Sequence, residues 1–255
     1  MFSREQLVGA LERDELFLVY QPQMLPDGAA LAGVEALVRW QHPVRGPLGP
    51  ADFLNAIEAH GLSDELGTWV LKRACQDALR WPSLMLSVNI SPTQFQKARF
   101  VERLLECVRQ TGFPLPRLEL EIVETAFFAD PGSAEAQLRH LRSFGISLAL
   151  DDFGIGYSSL SYLRRMPFTK LKIDKSFIDD VTMMHSAAIV HAVIALGRAL
   201  GLKVTAEGVE TAEQQKFLRI AGCHYLQGYL FSKPVPLAEI DAMLAATASP
   251  MVRTA

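Results

Sequence analysis

The chain has 255 residues, 49% of them hydrophobic and 21% charged, which is material for a large core and excludes extended disorder. Its 25 basic and 28 acidic side chains give a net charge of -3, so no global positive field attracts duplex nucleic acid or an anionic membrane. Three cysteines without Cys-x-x-Cys spacing suit reduced core thiols in a cytoplasmic compartment, and the absence of a signal pattern or long apolar run suits either a free protein or the cytoplasmic domain of a larger, membrane-anchored one.

In chain order, residues 3–14 read as a short amphipathic helix, with Ser3 and Gln6 spaced as a capping box. Residues 16–20 form a strand that leads into Gln21, and residues 31–40 a second strand that holds Glu35 and Arg39 on one face. Charges inside an apolar strand pair or bind something. Helices come next over residues 52–60 and 63–80, the second with Ser63 as its cap. A strand at 84–88 delivers Asn89, a helix covers 92–110, and Glu119 and Glu121 alternate with apolar residues in a strand at 118–123. After a helix at 133–144 comes a strand at 146–150, then a helix at 158–165 and a strand at 170–174 containing Lys172. A helix at 185–200, a strand at 203–207, a helix at 211–220 and a short strand at 224–227 complete the pattern.

The strand at 146–150 runs straight into Asp151-Asp152-Phe-Gly-Ile-Gly. Two adjacent anions at the end of an apolar strand repel each other and resist desolvation unless a cation or strong donors sit beside them. A divalent metal is one such partner. A purely local role is the alternative: Asp151 finishes the strand and Asp152 caps the next helix or turn. The Asp-Phe-Gly and Gly-x-Gly here lack the His-Arg-Asp loop and Val-Ala-Ile-Lys strand of a protein kinase.

Strand and helix alternate about eight times with short connections, which at this length predicts an α/β fold of the (β/α)8 barrel type. Nearly every strand carries a polar side chain at or near its end: Gln21, Glu35, Asn89, Glu121, Asp151, Lys172, Glu207 and Gln227. The carboxyl ends of barrel strands gather at one face, where active sites are built. Glu, Asn and Asp are hard oxygen ligands suited to Mg2+ or Mn2+, and the six histidines lack zinc-ligand spacing. Adjacent Asp151 and Asp152 suit two metals and displacement at phosphorus, with Lys172 hydrogen-bonding or deprotonating the attacking water through a lowered pKa.

Seven motifs then carry a family resemblance: Glu35-Ala-Leu-Val-Arg-Trp40, Ser87-Val-Asn89, Glu121-Ile-Val-Glu124, the Asp151-Asp152 loop, Lys172-Ile-Asp174, Ala206-Glu-Gly-Val-Glu210 and Gln227-Gly-Tyr. In this order they resemble the EAL-domain family of bacterial cyclic di-GMP phosphodiesterases. The resemblance implies a single barrel domain over residues 1–255 whose first strand runs antiparallel to the others. It implies hydrolysis of cyclic di-GMP to linear pGpG, or, in the alternative, a receptor domain that binds this nucleotide without useful turnover. By the family pattern Glu35, Asn89, Glu121 and Asp151 match ligands of one divalent cation, and Asp151, Asp152 and Glu207 ligands of a second. Lys172 matches the residue that orients or activates water, with Glu35 and Gln227 also in the catalytic set. Gln21, Leu37, Arg39, Asp174 and Pro234 match substrate-holding positions, while Glu124 and Glu210 match residues that support a mobile loop over 152–159. A homodimer is implied as well. Ile155 and Val123 stand where Thr is frequent in the family, and Thr205 where an aliphatic residue is frequent.

Overall fold

The computed structural model describes residues 2–153, 160–181 and 183–248. Among the described residues nine strands make one sheet: β1 (Leu16–Met24), β2 (Leu31–His42), β3 (Gly46–Leu48), β4 (Met85–Ile90), β5 (Leu118–Val123), β6 (Ser147–Phe153), β7 (Lys170–Ile173), β8 (Lys203–Ala206) and β9 (Tyr225–Leu226). Their order is β1-β9-β8-β7-β6-β5-β4-β2-β3, and pairing of β1 with β2 closes eight of them into a barrel. Strand β3 lies outside the ring as a hairpin partner of β2.

The first strand pairs antiparallel with both β2 and β9, whereas β2 and the six strands from β4 to β9 run parallel to one another. The cause is local. Between β1 and β2 the chain has only a turn, closed by Leu25 N–H to Ala30 O at 2.9 Å and Gly28 N–H to Leu25 O at 2.8 Å. A parallel return needs a crossover of a dozen residues or more, so this connection dictates a hairpin. Gly28, with φ of +73°, supplies the left-handed backbone the turn requires.

Around the ring lie α1 (Arg4–Glu12), α2 (Pro50–Ala59), α3 (Ser63–Ala78), α4 (Pro92–Phe95), α5 (Phe100–Thr111), α6 (Pro131–Ser143), α7 (Leu160–Arg165), α8 (Lys175–Ile178), α9 (Met184–Ala199), α10 (Ala212–Ala221) and α11 (Leu237–Ala248). The capping box at Ser3 and Gln6 is present. Ser63 proves to be the first residue of α3 with Leu62 in the cap position, which has no side-chain cap. The single helix expected over residues 92–110 is two, α4 and α5, and the second starts afresh at Phe100. Phe100, Val101, Leu104, Cys107 and Val108 of α5 are buried, at the i, i+3, i+4 spacing of a core-facing stripe.

Helix α11 is not legible in the strand–helix alternation. Its Ile240 is fully buried in the core, and Asp241 accepts from Trp81 Nε1 at 2.6 Å and from Arg80 Nη1 at 2.9 Å. Upstream, Val235 and Tyr20 exchange backbone hydrogen bonds at 2.7 and 2.9 Å, which lays the segment after β9 along β1. The three cysteines are buried and unpaired.

The base of the β8–β9 region contains a pH-sensitive contact. His224 Nδ1 accepts the Val204 N–H at 3.0 Å, and burial, then Lys203 and Arg198, lowers the imidazole pKa from its ordinary value. The unfolded chain therefore takes up a proton that the folded chain refuses, and stability falls as pH drops through the ordinary histidine range. In urea unfolding at pH 8 and pH 5.5, His224→Gln should lose less stability between the two conditions than the wild type. Equal losses would show that this histidine is not the responsive group.

Candidate active site

Four strands aim carboxylates at one ammonium. Lys172, on β7, is 1% exposed, and its Nζ lies 2.6 Å from Glu121 Oε2, 2.7 Å from Glu207 Oε1, 3.2 Å from Asp151 Oδ1 and 3.9 Å from Glu35 Oε2. Glu35 is gripped on both oxygens. Asn89 Nδ2 donates to Oε1 at 2.6 Å, Gln227 Nε2 donates to Oε2 at 2.6 Å, and the Gln227 amide also reaches Gln21 Oε1 at 3.1 Å. All eight polar residues singled out along the strands thus meet in one network. Gln21 joins it from the antiparallel strand because its register partner is Glu35.

Adjacent residues of a regular strand point to opposite faces, so Asp151 and Asp152 need a special backbone to serve one site. The strand supplies it. The β6–β7 register shifts between Leu150 and Phe153, and Asp152 sits in the left-handed region at φ of +53°. A bulge of this kind re-aims a side chain at a barrel rim. Strand β6 runs on to Phe153, so Asp151 does not end it, and Asp152 lies exposed at the mouth with its N–H on Asp151 Oδ1 at 3.0 Å.

Enclosure sets the protonation states. Burial, then the neighbouring Glu35 charge, pushes Glu121 well above the usual carboxylate range, and burial likewise raises Glu207. For Glu35 the burial penalty is outweighed by the Lys172 charge and the two amide donors, which hold it below that range. Asp152 is pushed up by desolvation and then by Asp151 and Asp174. Burial works against the Lys172 charge, but the surrounding carboxylates prevail and raise its pKa well above the ordinary lysine value. This direction belongs to the ammonium among its carboxylates, whereas the lowered pKa expected from the sequence concerns a lysine among cations.

The donor set suits hard divalent cations. Four carboxylates surround one ammonium, all of them hard oxygen donors, and Glu121 Oε1 is buried without a hydrogen-bond partner. Among the described residues no three acidic groups form a closed metal shell, because the oxygens are gathered on Nζ.

The remaining expected residues fall into two groups. Leu37 lines a cavity of about 480 Å³ with Asn89, Pro50, Leu54, Ile57 and Ile90, and Arg39 lies half-buried two residues further along β2 with its guanidinium on Val38 O at 2.8 Å. Gln21 Nε2 reaches Ser232 O at 3.4 Å, close in sequence to half-buried Pro234. Asp174 caps α8 by accepting from Ser176 N–H at 2.9 Å. Glu124 opens a one-turn 3-10 helix, and residues 154–159 of the loop it is expected to anchor lie outside the described residues. Glu210, expected to support the same loop, is exposed and pairs with Lys175 Nζ at 2.8 Å. Lys175 in turn packs its stem on Gly208, whose φ is +66°. Sequence reasoning passes over the cavity wall from α2 and α3 and over Lys170 below the site on β7, and it names Glu119 on β5 without giving it a role.

The family model for the EAL domain matches residues 4–234. The chain belongs to the EAL domain family. It is 43% identical over 248 residues to the cyclic di-GMP phosphodiesterase NbdA of Pseudomonas aeruginosa, covering 95% of this chain and 32% of that protein. The bifunctional diguanylate cyclase/cyclic di-GMP phosphodiesterase MucR of the same organism is 41% identical over 242 residues, covering 92% of this chain and 35% of that protein. This EAL chain thus spans about a third of the length of such curated relatives. The solved structure described as the PaMucR phosphodiesterase, c-di-GMP complex, superposes with a TM-score of 0.88 at 40% identity, covering 92% of this chain and 98% of that one.

In this EAL domain the turns carrying Glu207 and Gln227 are clamped together. Val209 N–H donates to Gln227 O at 3.0 Å, and a Cβ on Gly228 would meet Val209 O at 2.1 Å and Val209 N at 2.2 Å. Gly228→Ala should therefore destabilise by roughly 3 kcal/mol, the upper end for overpacking because backbone must yield. The check is a lowered urea midpoint at unchanged m. An unmoved midpoint would mean that the two turns are not clamped.

Proposed function

We propose that residues 1–255 form a single phosphodiesterase domain that hydrolyses one phosphodiester bond of cyclic di-GMP to give linear pGpG. The observation that carries this reading is the convergence of Glu35, Glu121, Asp151 and Glu207 on Lys172, beneath the Asp152 bulge, in a chain of the EAL family. Glu35, Asn89, Glu121 and Asp151 would hold one divalent cation, Mg2+ or Mn2+, and Asp151, Asp152 and Glu207 a second. When bound, such ions supply Lewis-acid polarisation of the phosphate and acidify water.

The chain's own groups do the rest. Arg39 offers a guanidinium fork to a phosphate oxygen, so the local cation missing from the net charge is found at the rim. Leu37 and the neighbouring apolar wall receive a guanine face, and exposed Tyr229, with Lys233 Nζ 5.4 Å from its ring centroid, gives an aromatic and basic margin at the other side. Lys172 hydrogen-bonds the attacking water or takes up its proton, and keeps it in line. Asn89 and Gln227 fix Glu35, and Gln21 steadies Gln227. The homodimer rests on the family resemblance, and the cytoplasmic compartment on three unpaired thiols. Among the described residues no helix is long and apolar enough to cross a membrane.

The test is a time course with cyclic di-GMP in Mg2+ or Mn2+ and then in excess EDTA, resolving substrate from pGpG. Metal-dependent pGpG is expected, and Glu35→Ala or Asp151→Asn should reduce the rate more than about 100-fold. Bound but intact nucleotide would instead establish the receptor reading. Loss of one charge-assisted contact in Arg39→Ala should cost about 1.5–3 kcal/mol in kcat/KM, seen mainly in KM. An unchanged KM would remove Arg39 from substrate binding.

A further inference from the structure

Below the catalytic cluster lies a second polar storey in the barrel interior. Lys170 Nζ contacts Glu119 Oε1 at 2.7 Å, Ser87 Oγ donates to the same oxygen at 2.8 Å, and Gln23 Nε2 donates to Ser87 Oγ at 3.3 Å. Lys170 also sits 4.6 Å from the centroid of the Tyr225 ring. Lys170 and Glu119 are 5% and 1% exposed.

Each member stands two residues from a site residue on its own strand: Lys170 from Lys172, Glu119 from Glu121, Ser87 from Asn89, Tyr225 from Gln227, and Gln23 from Gln21. With a side-chain period of two, both storeys face inward, one directly under the other. Both also pair a β5 glutamate with a β7 lysine across the intervening β6. Ala149, fully buried and the register partner of Glu121 on one side and of Lys170 on the other, puts little bulk between the β5 and β7 side chains where the two storeys meet. Barrel interiors are ordinarily filled by Val, Ile and Leu, and a buried ion pair offers no stability that well-packed apolar residues of similar volume lack. Stability alone therefore does not account for the lower pair.

Taking the phosphodiesterase reading as its basis, we propose that Lys170 and Glu119 are positioning residues that set the height of Lys172 and Glu121 in the catalytic cluster. Lys170 satisfies the Glu119 anion within the lower storey and leaves the Lys172 ammonium to the upper one. The short polar chain from Gln23 through Ser87 to Glu119 carries the same registration from β1 across β4 to β5.

The decisive variant is the volume-matched apolar double, Lys170→Met with Glu119→Leu. Its urea midpoint should equal or exceed that of the wild type while kcat on cyclic di-GMP falls about 10–100-fold at nearly constant KM. Direct calorimetric titration with Mn2+, without nucleotide, should show a comparable loss of affinity. A double variant with wild-type kcat and Mn2+ affinity would overturn the proposal. If the wild type itself does not cleave the nucleotide, the phosphodiesterase reading fails, and the Mn2+ titration still decides the positioning role. Should the double variant not fold, Lys170→Arg is compared with Lys170→Met: retention of Mn2+ affinity by Arg alone supports the proposal, and equal retention by both defeats it.

Discussion

The Lys172 ammonium, enclosed with four carboxylates around it, is the interaction on which the mouth of the barrel depends. The carboxylates come from or just beyond β2, β5, β6 and β8, and the lysine from β7, so one charge cluster ties together five of the eight ring strands. Carboxylates this close repel each other, and burial penalises each of them. The ammonium offsets part of both terms, yet one cation against four anions leaves Glu121 and Glu207 pushed toward their neutral forms. The cluster is thus held together and left short of positive charge by the same arrangement. That shortage is the physical basis for reading it as a cation site.

Two backbone devices bring the cluster to order. The tight hairpin that reverses β1 puts Gln21 opposite Glu35, where a parallel strand would have carried its polar end elsewhere. The bulge in β6 brings two consecutive aspartates to the mouth, which regular pleating forbids. Around them, the Glu207 and Gln227 turns share the Val209 backbone, so side chains on β8 and after β9 cannot shift independently. Geometry at this site is set by main chain before it is set by side-chain packing.

Much of this is legible in the residues. Alternating strand and helix patterns point to the barrel, and the polar side chains at strand ends point to the network, since a barrel collects those ends at one face. The antiparallel first strand comes from family resemblance, since the sequence pattern leaves residues 21–30 between the first two strands, and the tight turn that demands a hairpin emerges only with β1 running on to Met24. What periodicity cannot resolve depends on tertiary contact: α11 is secured by Asp241 on Trp81, distant in sequence, and Asp174 and Glu210 find partners in Ser176 and Lys175 outside the cluster. The direction of the Lys172 shift is hidden from sequence for a related reason. Its sign depends on whether anions or cations crowd it, and sequence supplies the neighbours' identities without their distances.

The second strand shows how recognition and chemistry are laid out along a few consecutive residues. Glu35, Leu37 and Arg39 alternate along one face of β2, and each step of two residues advances roughly 7 Å toward the rim. Buried Glu35 belongs to the charge cluster, Leu37 to the wall of the apolar cavity, and half-buried Arg39 to the solvent edge. Polarity thus changes from enclosed anion to apolar surface to cation over about 14 Å. A ligand that carries phosphate and a flat base meets both requirements only by lying across that gradient. A molecule with charge alone, such as inorganic phosphate, would engage Arg39 and leave the cavity wall wet, and a purely apolar one would leave the guanidinium unpaired. The alternation of one strand therefore sets an apolar wall and a guanidinium side by side above the charge cluster, the arrangement that the proposed nucleotide substrate would require.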